Sequence, residues 1–399
     1  MGFLVFALIG YGDRDADAFR ASSAMPDDLA ARIDKHFASP TDPRRRKVTY
    51  PLINIVTIAL CAVIAGADDF VTIAAWGRQK RTRLAKILDL TSGIPSHDRF
   101  NAVFKAIKPA EFERCLLSWI TSPHELTAGQ LVAIDGKTLR QSFDKADAKS
   151  AIDLVSAWAT ANPISPGQVV VDRKSDEIPA IPRLPELPDV SGRLVSIDAM
   201  GCQVEIAGKI IEAKADYVPA VEANQPTLHD GIVGFFLDQM GDDFARVKVS
   251  RHETKEHGHG RDEHRTYYVC DVPDDLPDRA RRKGLKRIGV AISDTVRGGK
   301  ACDDVRDYIL SRKLNARSFG AAVRGHWGIE NSLHWQLDMS FGEDRSRIRK
   351  GHADANIAII RRMALSLLKN EKNQKVGVTT KRRTAGWNDD YLEQVLFGT

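Results

Sequence analysis

Leu131-Val132-Ala133-Ile134-Asp135-Gly136-Lys137 and, further on, Leu194-Val195-Ser196-Ile197-Asp198-Ala199-Met200-Gly201 are short apolar runs that each end in an aspartate. Bounded by turn-forming residues, such runs read as buried strands. They belong to a βα pattern that starts near residue 130. Strands are expected at 131–135, 154–160, 168–172, 194–198 and 217–221. A helix over 202–213 lies between the last two, with Val204, Ile206, Ile210 and Ile211 facing a sheet. Three strands on short links, then strand–helix–strand, predict an antiparallel meander joined to parallel strands in one mixed sheet.

Upstream, residues 27–122 read as a helical N-terminal domain. Pro51 to Ile64 is nearly continuous apolar sequence of helical length, with proline where a first turn tolerates it. A second helix over 71–88 carries Arg78, Lys80, Arg81, Arg83 and Lys86, many at positions expected to face solvent. Pro95-Ser96-His97-Asp98 reads as a turn and N-cap. Downstream of the paired runs, about 226–300 reads as a β-rich insertion with strands at 244–249, 266–272 and 287–294, followed by helices over 318–337 and 353–370. The last segment, 371–399, reads as a basic tail whose Lys381-Arg382-Arg383 is solvated. Residues 1–26 read as an upstream extension, with the functional start near Met25.

Composition narrows the class. The chain has 399 residues, 43% of them hydrophobic and 28% charged, enough to bury a globular core. A net charge of +5 is compatible with a polyanionic partner. Five widely spaced cysteines without a C-x-x-C pair argue against a disulfide framework or structural zinc and favour a reducing cytoplasm. The apolar run Phe3 to Ile9 is too short to span a bilayer and lacks a basic lead-in, so no membrane role is expected.

A third carboxylate, Glu330, lies in the helix-like stretch His326-Trp327-Gly328-Ile329-Glu330-Asn331. Two strand-end aspartates and a helix glutamate suit a two-ion Mg²⁺ site for phosphodiester chemistry, with Mn²⁺ as the alternative ion. Taken singly, each has an ordinary explanation, because aspartate favours turns and N-caps and a glutamate on a helix face is commonplace. The joint pattern and the words around each residue carry the case.

Those words are Ala133-Ile134-Asp135-Gly136-Lys137-Thr138-Leu139-Arg140, Ser196-Ile197-Asp198-Ala199-Met200-Gly201-Cys202-Gln203 and His326-Trp327-Gly328-Ile329-Glu330-Asn331-Ser332-Leu333-His334-Trp335. With Phe341-Gly342-Glu343-Asp344, Ser346-Arg347-Ile348-Arg349-Lys350-Gly351 and the stretch from Asp42 to Phe104, they resemble bacterial insertion-sequence DDE transposases of the ISAs type. The resemblance covers roughly residues 30–370. It implies an α/β, ribonuclease-H-like catalytic domain over 128–370 with a β-rich insertion before the final glutamate. It also implies metal-dependent cutting at transposon ends and joining of the 3′-hydroxyl to target DNA. Carried over by position, Asp135, Asp198 and Glu330 are catalytic and hold the metal. The partners implied are transposon ends and target DNA, with at least a dimer in the DNA complex and a cytoplasmic, nucleoid-associated location. Another ribonuclease-H-like nuclease would share the metals, and a catalytically impaired relic or DNA-binding regulator would keep only the DNA contacts.

Around the three carboxylates, Lys137, Arg140, Asn224, Gln225, His326, Arg345, Arg347, Arg349 and Lys350 are expected to contact DNA. His326 precedes Glu330 by one helical turn on the same face. Trp327 and Trp335 are expected to pack against the sheet, with base stacking as the sharper alternative. His257, His259 and His264, among Arg261 and Arg265, read as a DNA-facing loop rather than a zinc site. Two departures from the resembled family stand out. Glu222 and Ala223 occupy positions where members carry lysine and glycine, and four prolines fall at 179, 182, 185 and 188.

Overall fold

The computed structural model describes residues 42–44, 48–121, 130–143, 151–159, 164–171, 190–258 and 260–398. The upstream extension, Arg45 to Lys47, the four prolines and His259 lie outside them. Among the described residues, nine strands form one sheet in the order β3-β2-β1-β4-β5-β9-β8-β7-β6. The strands are β1 (Leu131–Thr138), β2 (Asp153–Ala159), β3 (Ile164–Val171), β4 (Leu194–Ile197), β5 (Asp216–Val221), β6 (Val249–Gly258), β7 (Arg261–Asp271), β8 (Arg287–Arg297) and β9 (Lys300–Leu310). β1 to β3 form the expected antiparallel meander, and β1, β4 and β5 run parallel. The strands β2 and β4 are buried on both faces, which is why their sequences read as apolar runs rather than alternating ones.

The expected β-rich insertion differs in three ways. It opens with a helix over Pro226–Gly241, not a strand; the segment expected as a strand at 244–249 is mostly turn; and its strands continue to Leu310. Four long antiparallel strands join the first five through only two register pairs, Ala220↔Tyr308 and Val221↔Asp307. The sheet is therefore continuous across the insertion.

Helices cover the sheet. In chain order they are α1 (Leu52–Ile64), α2 (Phe70–Gln79), α3 (Arg81–Leu84), α4 (His97–Ala106), α5 (Pro109–Thr121), α6 (Val204–Glu212), α7 (Pro226–Gly241), α8 (Ala316–Ile329), α9 (Trp335–Phe341), α10 (Ala353–Asn370), α11 (Val378–Trp387) and α12 (Asp389–Phe397). α2 starts at a capping box in which Asp69 accepts from Thr72 N and Thr72 Oγ1 accepts from Asp69 N. Ser96 caps α4 as its sequence predicts. α10 is buried almost all round and forms the spine of a single apolar core with α1, α2, α4, α5, α11 and α12. That core also takes in Ala133 and Trp158 of the sheet and Ile329, Leu333 and Leu337. The N-terminal helices thus share one core with the sheet and the C-terminal helices rather than forming a separate one.

The C-terminal segment corrects the reading of a solvated basic tail. α11 and α12 pack back onto α1, and Lys381 and Arg382 are buried. Arg382 donates to Val63 O at 2.9 and 3.1 Å and to Asp68 Oδ1 at 2.7 Å, and lies 4.1 Å from the Phe341 ring centre. Lys381 meets Glu371 Oε2 at 2.9 Å. Lys80 and Arg83, expected to face solvent, instead pair with Asp389 and with Asp390 and Glu393 of α12.

Candidate active site

Parallel register brings the two aspartates together. Ile134 pairs with Ile197, so Asp135 and Asp198 lie side by side; Asp198 follows the end of β4, whereas β1 runs on to Thr138, three residues beyond the end expected at Asp135, where it pairs with β2 alone. Asp135 Oδ1 accepts from Gly136 N at 2.8 Å. Asp198 begins the 3₁₀ turn Ala199–Gly201, and its Oδ1 accepts from Gly201 N at 3.2 Å. Burial pushes the Asp198 carboxyl up, the Gly201 N–H pulls it back, and the charges of Asp135 and Glu222 push it up again. The outcome is a carboxyl above its ordinary range. Glu222 therefore adds a third negative charge beside the aspartates.

α8 lies across β1 and β4 and brings the other expected residues. Gly320 lets it approach β7 closely, because a Cβ there would stand 2.9 Å from the Tyr267 ring. His326 is half-buried, its Nδ1 is 3.0 Å from Ser196 Oγ on β4, and desolvation holds its imidazole below the usual value. Directly after α8, Glu330–His334 forms a π-turn, with Trp335 N bonded to Glu330 O, before α9 resumes the helix. Single π-turns inside helices recur at functional sites. Glu330 is exposed at the start of this turn, while His334 at its end is buried with Nε2 3.4 Å from Asp135 Oδ2. His326 and His334 thus flank Glu330 by four residues on each side, and both lie near Asp135. The tryptophans do not fill the sheet face as expected. Trp327 is partly exposed with Arg306 4.6 Å above its ring, and Trp335 is more than half exposed.

Lys137, expected to contact phosphate, is largely covered and sits among Asp338, Glu343 at 3.2 Å and Asp344 at 3.7 Å. Burial alone would push Glu343 up, but Arg362, Lys137 and Arg361 together hold its carboxyl below the ordinary value. Arg140, in contrast, is mostly exposed, 3.3 Å from Asp344. Asn224 and Gln225 are tied into the fold: Asn224 Nδ2 donates to Ala199 O at 2.7 Å, and Gln225 Oε1 accepts from buried Arg282 at 2.7 Å. Arg345, Arg347, Arg349 and Lys350 line a groove of about 610 Å³ whose opposite wall is Phe70, Val71, His97 and Asn101 of the N-terminal helices. The histidine cluster is not a loop. His257 and His264 sit in the paired strands β6 and β7, against Asp262 and against Glu253 and Asp294.

Residues 35–120 match the family model described as DDE_Tnp_1-associated, and residues 127–367 match the transposase DDE domain. The chain belongs to the DDE transposase family. Its mixed sheet is accordingly ribonuclease-H-like. The chain is 42% identical to the "Putative transposase YncI" of Escherichia coli O157:H7, over 92% of its own length and 95% of that protein. It is 37% identical to the "H repeat-associated putative transposase YhhI" of E. coli K12, over 92% and 98% of the two chains. An "Uncharacterized protein in dhlA 3'region" of Xanthobacter autotrophicus is 38% identical over 68% of this chain and 91% of that one. The transposase family ordinarily works with a divalent metal. Among the described residues, no three His, Cys, Asp or Glu side chains converge at ligand distance. The donor chemistry nevertheless suits a hard cation: two adjacent carboxylates, one of them pushed up first by burial and then by the neighbouring charges of Asp135 and Glu222. No helix among the described residues is long and apolar enough to cross a membrane.

Proposed function

We propose that this DDE transposase cleaves DNA at the ends of an insertion sequence and joins the freed 3′-hydroxyl to target DNA. The observation that carries this reading is the side-by-side placement of Asp135 and Asp198 on parallel strands, crossed by α8, which leads directly into the turn that bears Glu330. These three carboxylates would hold Mg²⁺ or Mn²⁺ in a two-ion arrangement. When bound, such ions make an oxygen nucleophile available and stabilise the leaving oxygen. The chain's own residues supply the rest. Asp135 and Asp198 are each fixed by a backbone N–H, so their free oxygens are directed before substrate arrives. His326 holds Ser196 and fixes α8 against β4. Exposed Arg140 and the arginine-lined groove of Arg345, Arg347, Arg349 and Lys350 bind the DNA backbone by charge. Asn224 and Gln225 act by holding the turn after Asp198 in place. Two transposon ends call for at least a dimer in the DNA complex, working in the cytoplasm at the nucleoid.

The test is Mg²⁺-dependent cleavage of a labelled duplex carrying the element's terminal sequence. Asp135→Ala, Asp198→Ala and Glu330→Ala should each lower the rate by at least about a hundredfold. Wild-type rates in any one of them would remove that residue from the site. A second reading, a DNA-binding chain with impaired cleavage, is favoured by Glu222, which places negative charge beside Asp198 where phosphates would come. It predicts little cleavage by wild type and a gain in Glu222→Lys.

A further inference from the structure

His334 is the buried histidine that the proposed chemistry leaves unused. Only 9% of it is exposed, and neither ring nitrogen has a hydrogen-bond partner among the described residues. Burying a polar group without a partner costs on the order of 1–3 kcal/mol. A leucine at this position would avoid that cost, and the neighbouring turns carry Leu333 and Leu337 in the same core. The ring is also aimed. Its Nε2 lies 3.4 Å from Asp135 Oδ2, the oxygen not bonded to Gly136 N. That separation is one small side-chain adjustment from a hydrogen bond, and such contacts in unliganded sites tighten on complex formation.

The π-turn accounts for the aim. With Trp335 N reaching back to Glu330 O, the helix is locally wider than an α-helix. Glu330 opens the turn facing outward, His334 closes it facing Asp135, and Trp335 is left on the outside. One local irregularity thus sets the helix carboxylate and the partner of the strand carboxylate together.

We propose that His334 is a positioning residue: its Nε2–H holds Asp135 Oδ2 so that the Asp135 carboxylate keeps one orientation toward the divalent ion. This rests on the reading of Asp135 as a metal ligand. A ligating carboxylate gains both direction and basicity from a fixed donor, and loss of such a donor typically weakens metal binding about 10–100-fold. The alternative is that His334 merely fills space under the π-turn.

The experiment is Mn²⁺ titration of the full chain without DNA, followed by electron paramagnetic resonance, for wild type, His334→Leu, His334→Gln and Asp135→Ala. Leucine keeps most of the buried volume and removes the donor, whereas glutamine keeps a donor at similar reach. Circular dichroism melts establish that each variant is folded. The expected result is Mn²⁺ affinity about tenfold or more below wild type in His334→Leu and recovery to within about threefold in His334→Gln. Wild-type affinity in His334→Leu, or equal loss in both His334 variants, with Asp135→Ala weakened, overturns the positioning role alone. Unchanged affinity in Asp135→Ala overturns the metal reading and the role with it.

Discussion

Ile134 and Ile197 face one another across the parallel pairing of β1 and β4, and this one register pair places Asp135 beside Asp198. Their proximity leaves a mark in the fold itself, because the Asp198 carboxyl is held above its ordinary range by burial and by Asp135 and Glu222. A carboxyl raised in the folded state contributes stability that is complete below its unfolded value and is lost as pH rises through the folded value. Asp198→Asn mimics the protonated acid, so without divalent ions it should melt above wild type at neutral pH. The gap should close as pH falls through the carboxylate range. Mg²⁺ should raise the melting temperature of wild type and not of the variant. A gap independent of pH would show that the Asp198 carboxyl is not raised in the fold.

Lys137 and Arg140, three residues apart, should behave in opposite ways. Lys137 is enclosed by Asp338, Glu343 and Asp344, and its removal strands buried negative charge. Lys137→Met should cost about 3–5 kcal/mol of unfolding free energy in urea titrations. Exposed Arg140→Ala should stay within about 0.5 kcal/mol. Equal, small costs for both would return Lys137 to the DNA face.

In the groove between the 342–350 segment and α2 and α4, Arg345 and Arg347 are exposed. If they neutralise phosphates, Arg345→Ala with Arg347→Ala should leave the melting temperature unchanged and weaken binding to any duplex sequence alike. The slope of log affinity against log salt should fall by about two, roughly one per contact. An unaltered slope would place the DNA elsewhere.

What the sequence made legible was the part built from local pattern. Val132 to Ile134 of β1 and all of β4 are apolar because both their faces are covered, and in each the next residue is a less buried aspartate, so both aspartates stood out, although β1 itself runs on to Thr138. The helix around Glu330 was visible by periodicity, but its π-turn was not, since residues 326, 330 and 334 keep the four-residue spacing of an ordinary helix face. α7 was missed because its glycines, Gly231, Gly234 and Gly241, weaken the helical signal. Pro226 at its first turn was the cue that could have found it. Lys137 and Arg382 misled for a different reason. Their partners come from distant segments, Glu343 in one case and Val63 in the other, and a basic residue alone does not announce whether it is buried.

Arg382 should be among the most costly positions outside the site. It ties α11 to α1 through Val63 O, to the α1–α2 connection through Asp68, and to the end of α9 through Ser340 O and the Phe341 ring. Arg382→Ala leaves carbonyls unpaired at the junction of three segments, and should cost about 3–5 kcal/mol in guanidinium unfolding. Arg382→Lys should recover only part of this, because an ammonium cannot reproduce the planar fork. A loss below about 1 kcal/mol would mean that α11 and α12 dock independently of this contact.

Glu113 on α5 gives the chain a pH dependence away from the site. Burial pushes its carboxyl up to about 8, against the opposing pull of the Gln168 N–H, bonded at 2.5 Å, and of Arg362. The acid is therefore protonated in the fold at pH 6 and forced to ionise as pH rises. Its contribution to stability is complete below the unfolded carboxylate range and is lost progressively as pH climbs through about 8. Glu113→Gln keeps an uncharged group of the same size. The variant and wild type should melt together below the unfolded carboxylate range, and the variant should become the more stable by pH 9, by on the order of a few kcal/mol. The Gln168 N–H keeps an acceptor in the variant, so the difference reads ionisation rather than a lost hydrogen bond. Parallel melting curves from pH 5 to 9 would mean that Arg362 already holds Glu113 ionised throughout, and that α5 and α10 are joined by a buried ion pair instead.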